Sequence, residues 1–192
     1  MNGRHLLCGL GLASVLAGRA HATSIKDVSL VDLFKQADLV ALVHITGGDD
    51  GSDRAVYRAT VTRPFKGISP HDTIYFGPHS SYGIGAEYVV FLKRTEHLEG
   101  HMFKGPGNPW PTAAEAPYFE IFYAGYSVLP VEYTCDFPGC DYGVLVPSSQ
   151  VHLPDGVPGV AATRERSSNY DTWVKKAAML ELLDKINAGT GQ

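Results

Sequence analysis

The chain has 192 residues, 44% apolar and 19% charged, which fits one folded domain with a usable core. A formal charge of −4 argues against the basic face that nucleic-acid binding needs, and after the N-terminus no apolar run approaches the length that spans a bilayer. Ten tyrosines and eight phenylalanines favour β-structure around an aromatic core.

Residues 1–22 read as an export signal. Arg4 and His5 open it, the stretch from Leu6 to Ala17 is an apolar core, and Ala20-His21-Ala22 is an A-x-A cleavage site. The mature chain then begins at Thr23, and residues 23–192 form one domain in a secreted or periplasmic setting. A short helix follows at Leu30–Gln36, with Ser29 as N-cap and Asp32 reaching back in a capping box. Asp38–Ile45 is a mostly apolar strand, and residues 47–53 form a polar loop. The chain returns from about Val56 to Pro64 with a period of two. Val56, Arg58, Thr60 and Thr62 lie on one side; Tyr57, Ala59, Val61 and Arg63 lie on the other. Thr73–Gly77 and Glu87–Leu92 are further strands. The turns between them are Ser69-Pro70-His71-Asp72 and Tyr82-Gly83-Ile84-Gly85. Short strands joined by Gly/Pro-rich turns predict a small barrel or sandwich.

Lys93–Glu99 is charged and expected to be exposed, and Gly105–Pro111 is a long loop. Tyr118–Val131 is an aromatic run with Gly125 as a bulge, and Val144–Pro147 a short strand or bend. Cys135 and Cys140, in TCDFPGCDYG, are expected to form a disulfide across the Pro138-Gly139 turn. A metal site would need softer ligands than Asp136, Asp141 and Tyr142. The chain ends in an amphipathic helix capped by Ser168 or Asn169 and closed by Gly189. Its apolar stripe is Trp173, Ala177, Leu180, Leu183 and Ile186.

The order of a short helix, Ala37-Asp38-Leu39-Val40, a hairpin, Phe65-Lys66-Gly67 and Gly85-Ala86-Glu87-Tyr88-Val89-Val90-Phe91-Leu92 resembles the netrin-like domain of tissue inhibitors of metalloproteinases. The resemblance covers about residues 30–92. It implies a mainly β fold, a five-stranded Greek-key barrel of the OB type with flanking helices. Those inhibitors chelate a protease zinc through an N-terminal cysteine. Thr23-Ser24-Ile25 has none, so no inhibitory residue carries over.

No G-x-S-x-G element or phosphate-cradling glycine loop occurs, and Gly83-Ile84-Gly85 leads into a strand. His97 and His101 stand four residues apart, though not as H-E-x-x-H. His79-Ser80-Ser81 puts serines beside an imidazole, while His44, His71 and His152 are dispersed. The Gly/Pro-rich loop from Met102 to Pro111 is the best binding candidate. Phe103 and Trp110 are its anchors, unless Trp110 folds back over the open barrel end. Two function classes follow. The first is an exported non-enzymatic binding module without a cofactor, whose partner is a protein or a glycan. The second is an exported metal-dependent hydrolase using His97, His101 or His79.

Overall fold

The structure, a computed structural model, describes residues 27–48, 54–79, 82–98, 116–163 and 171–190. The expected signal at 1–22, the loop tip at 49–53, Ser80, Ser81, His101, Phe103, Trp110 and both suggested caps of the last helix lie outside them.

Helix α1 spans Leu30–Gln36, with the predicted bounds. Ser29 Oγ accepts the amide of Asp32 at 3.0 Å and donates to its carboxylate at 2.8 Å, which satisfies an amide that has no partner inside the helix. The helix buries Leu30, Leu33 and Phe34. A short strand β1 (Val28–Ser29) precedes it and pairs in parallel with β9 (Val151–His152).

The barrel is built from β2 (Leu39–Gly48), β3 (Ala55–Lys66), β4 (Thr73–His79), β5 (Glu87–Thr95) and β6 (Tyr118–Ile121). β2 pairs antiparallel with β3 and with β5, and β3 with β4. β6 lies parallel to β4 and antiparallel to β5, and that pair of ladders closes the ring. The circuit β2–β3–β4–β6–β5 is the OB-type Greek key. Register shifts at three places along β2 and β3 bend the hairpin as a closed barrel requires. The predicted alternation on β3 holds through Val61. Ala55, Tyr57, Ala59 and Val61 face inward with Val43, Ile45, Phe76, Val90 and Leu92. Beyond the bulges the phase changes: Arg63 is exposed and Phe65 joins a different core.

That second core lies outside the barrel. Val40 and Leu42 of β2 and Val89 and Phe91 of β5 turn outward, so both faces of these strands are apolar. A sheet extends from the other edge of β5 through β7 (Val128–Thr134), β8 (Asp141–Pro147), β11 (Asp171–Lys175) and β10 (Gly159–Ala161). Helix α2 (Lys176–Thr190) and α1 pack on this layer through Met179, Leu180, Leu183, Leu33 and Phe34. Lys176 to Glu87 at 2.6 Å and Arg63 to Asp184 at 2.5 Å tie α2 to the barrel strands. Among the described residues no helix is long and apolar enough to cross a membrane.

Expectations for the 118–131 run and for the last helix are corrected. The run from Tyr118 to Val131 is not one strand: it breaks into β6, a 3-10 turn at Tyr123–Gly125, and β7. The break is where β5 changes neighbour, pairing with β7 along Glu87–Val90 and with β6 along Leu92–Thr95. Gly125 therefore belongs to a turn and not to a bulge. Lys93–Thr95 continue β5 with β6 as their partner, and Arg94, Glu96 and His97 are exposed, as expected of this charged stretch. Trp173 sits on β11, paired with Leu145 and Val160, and the helix begins only at Lys176. Ala177 is consequently exposed, Met179 opens the buried stripe, and α2 runs one residue past Gly189.

Cys135 and Cys140 are bonded, with Cα atoms 4.0 Å apart, at the tip of the β7–β8 hairpin. The loop folds back over the sheet. Phe137 is buried, and its ring and that of Trp173 fill the space above Gly143, where an added Cβ would lie 2.8 and 2.9 Å from them. Asp136 accepts the amide of Thr163 at 3.1 Å and its hydroxyl, and these bonds hold the carboxyl below its usual range.

Candidate functional site

The helices and the extension sheet cover the outer side of β2 and β5. Helix α2 reaches only the Arg63–Phe65 end of β3, and beside the other half of that strand Val56, Tyr75 and Tyr118 are buried with Leu98 and Ala116 packed on them. Here lies a cleft of about 700 Å³, lined by Thr46, Arg58, Thr60, Asp72, Thr73, Tyr75, Ala116 and Pro117. The alternation of β3 delivers Arg58 and Thr60 to this side, because Tyr57 and Ala59 are committed to the barrel interior. Antiparallel register sets Tyr75 opposite Arg58 and Thr73 opposite Thr60.

Arg58 is held in one pose. Its Nε donates to Thr46 Oγ1 at 3.2 Å and its Nη2 to the Thr46 carbonyl at 3.3 Å. The guanidinium lies beside Gly47, where an added Cβ would meet it in ordinary contact at 3.5–3.7 Å. No described carboxylate lies within ion-pair distance of it. The cleft's own carboxylate, Asp72, accepts the amide of Ser69 at 3.1 Å within the β3–β4 turn. Tyr75 is buried edge-on against Tyr118, with ring centroids 6.1 Å apart. Val56, Tyr75 and Tyr118 form a small apolar floor on which Leu98 and Ala116 also pack.

Leu98 and Ala116 bracket the 99–115 stretch that contains Phe103 and Trp110. The suggested anchors are outside the described residues, yet their segment leaves and rejoins the fold at this face. His97 is exposed just after β5, its amide donating to Thr95 Oγ1 at 3.2 Å. Its suggested companion His101 is not described. His44, His71, His79 and His152 lie on β2, the β3–β4 turn, β4 and β9, and among the described residues no three His, Cys, Asp or Glu side chains gather in metal-binding range. Arg58 and its threonines were not singled out from the sequence. The alternation placed Arg58, Thr60 and Thr62 on one side, which was the available signal.

A second polar feature closes the barrel interior. Tyr82 packs against Tyr57 and Tyr88 at 5.1 and 5.0 Å and stacks on His79 at 4.5 Å. The Tyr57 hydroxyl accepts the Tyr82 amide at 3.1 Å and the Tyr88 hydroxyl the Gly83 amide at 3.0 Å. The Tyr82 hydroxyl is buried without a hydrogen-bond partner, and burial raises its pKa far above the usual phenol range. Leaving such a group unpaired costs about 1–3 kcal/mol. Tyr82→Phe keeps the ring and removes that cost, so it should stabilise the protein by about 1 kcal/mol or leave it unchanged. Tyr57→Phe strips the Tyr82 amide of its acceptor and should destabilise by a similar amount. Urea denaturation of both variants checks the contrast; equal losses would mean that the Tyr82 hydroxyl has a partner.

In comparison with known proteins, no family model matches the chain, and neither a curated protein nor a solved structure matches it significantly.

Proposed function

We propose that this protein is an exported, non-enzymatic binding module of the netrin-like type, holding a protein or glycan ligand on the outer face of β3 and β4. The observation that carries this reading is the polar cleft of about 700 Å³ beside Arg58 on the outer side of β3 and β4. Its volume is in the range of ligand pockets. A five-stranded barrel of this order offers the face of its second and third strands to oligomeric ligands, with the flanking loops as walls. Those strands are β3 and β4 here, and the 99–115 segment with Phe103 and Trp110 is the connection between the fourth and fifth. Export is supported by the Ala20-His21-Ala22 site and by the Cys135–Cys140 bond, which suits an oxidising compartment.

The test is retention on the immobilised full chain of extracellular proteins and glycans, compared with Thr60→Trp and Thr73→Trp. Both side chains are at the cleft and outside the barrel core, so the bulky rings should fill the cleft without unfolding the protein. Retained material should be lost from both variants and reduced by Phe103→Ala or Trp110→Ala. A ligand that stays on the blocked variants is bound elsewhere, which would refute the assignment of this face.

A further inference from the structure

Resting on that assignment of the face, we infer that the ligand is an acidic oligosaccharide, one whose sugar units carry a carboxylate that Arg58 receives. The chemistry of the lining points to this class. None of the described carboxylates is in ion-pair range of Arg58. Arg58 is instead fixed by neutral partners, both on Thr46, which position the guanidinium without neutralising it. Those bonds use Nε and one Nη2 proton. Nη1 carries no hydrogen bond within the described protein, so one edge of the guanidinium keeps two parallel donors. That fork matches the two oxygens of a carboxylate.

The remainder of the lining suits sugar. Thr46, Thr60 and Thr73 offer hydroxyls, each a donor and an acceptor, and Asp72 offers acceptor oxygens at another part of the cleft. A chain of ring hydroxyls needs this mixed set. A protein partner would need an exposed apolar anchor pocket at the centre of the contact. Among the described lining residues the apolar ones are Tyr75, which is buried, and Ala116 and Pro117 at one wall. Asp72 also disfavours a uniformly anionic polymer lying across the whole cleft. A carboxylate near Arg58 with hydroxyls directed toward Asp72 satisfies both ends.

The experiment is a calorimetric and NMR titration of the full chain with trigalacturonate and with the neutral trisaccharide maltotriose. Trigalacturonate should bind, shift the backbone amides of Thr46, Arg58, Thr60 and Thr73, and weaken as salt rises, since a partly exposed ion pair is screened. Arg58→Ala should weaken it about tenfold or more, the loss expected for a charged hydrogen-bonded pair. Arg58→Lys should recover only part of the affinity, because an ammonium lacks the fork. Thr46→Val keeps the charge and loosens its orientation; it should raise Kd while leaving the salt dependence in place. Maltotriose should not bind. Equal binding of maltotriose, with Arg58→Ala unaffected and the same amides shifted, would overturn the acidic class and leave the face assigned. Shifts confined to another surface would overturn both. No binding of either sugar, alongside a protein ligand displaced by Thr60→Trp, would overturn the glycan inference and keep the binding face.

Discussion

Trp173→Ala should destabilise the protein by about 3–5 kcal/mol, the cost of emptying a fully buried indole site. The ring is among the largest completely buried side chains of the described residues. It lies on β11 with Leu145 on one side and Val160 on the other, under the lid formed by the disulfide loop. Its removal strips Phe137 of the surface it packs beside above Gly143. The surroundings cannot collapse freely, because Cys135–Cys140 and the Asp136–Thr163 bonds pin the lid from two directions. Chemical denaturation measures the loss. The control is Ala177→Lys, at a position that a continuous helix from Ser168 would bury and that the strand-then-helix arrangement exposes. It should lie within about 0.5 kcal/mol of the parent. A large loss at Ala177 with a small one at Trp173 would mean that the helix starts earlier than Lys176.

The Trp173 case shows where sequence periodicity misleads. Trp173 and Ala177 stand four residues apart and Leu180, Leu183 and Ile186 continue the spacing, so strand and helix read as one stripe. Only the ladder of Asp171–Lys175 against β8, a long-range pairing, separates them. The break inside 118–131 was hidden for a related reason, since it depends on β5 exchanging one neighbour for another. Local chemistry was easier to read. The capping box on α1, the alternation of β3 as far as Val61 and the cysteine pair need only neighbouring residues, and these are found as expected. The candidate site falls between these cases. Alternation showed which side chains of β3 point away from the interior. It could not show that the helices would cover β2, β5 and the Arg63–Phe65 end of β3 and stop short of Arg58, or that Thr46 would orient Arg58 across the hairpin.

Gly67→Ala should cost about 2–5 kcal/mol, combining a backbone penalty with a steric one. Phe65-Lys66-Gly67 and Ala37-Asp38 carry much of the resemblance stated above, and the structure joins them in one knot. Phe65 enters the second core. Lys66 Nζ donates to the carbonyls of Phe34, Lys35 and Ala37 at 3.1, 3.0 and 2.5 Å, closing the C-terminal end of α1 where carbonyls lack helical partners. Asp38 accepts the amide of Arg94 at 2.9 Å and donates its own amide to Leu92 at 2.8 Å, which fixes α1 to β5. Gly67 closes the knot with φ of +72, and a Cβ there would stand 2.0 Å from the Asp38 carbonyl oxygen. Backbone cannot swing aside as a side chain can, so relief requires pulling Lys66 or Asp38 from its partners. Gly85→Ala separates the two contributions. Gly85 has φ of +87 and nothing within 4 Å of the added atom, so it should show the conformational part alone, about 1–2 kcal/mol. Urea titrations of the two variants give the difference directly. A Gly67→Ala loss no greater than that of Gly85→Ala would show that the turn gives way without disturbing Asp38, and that helix, hairpin and β5 are not fastened at this point.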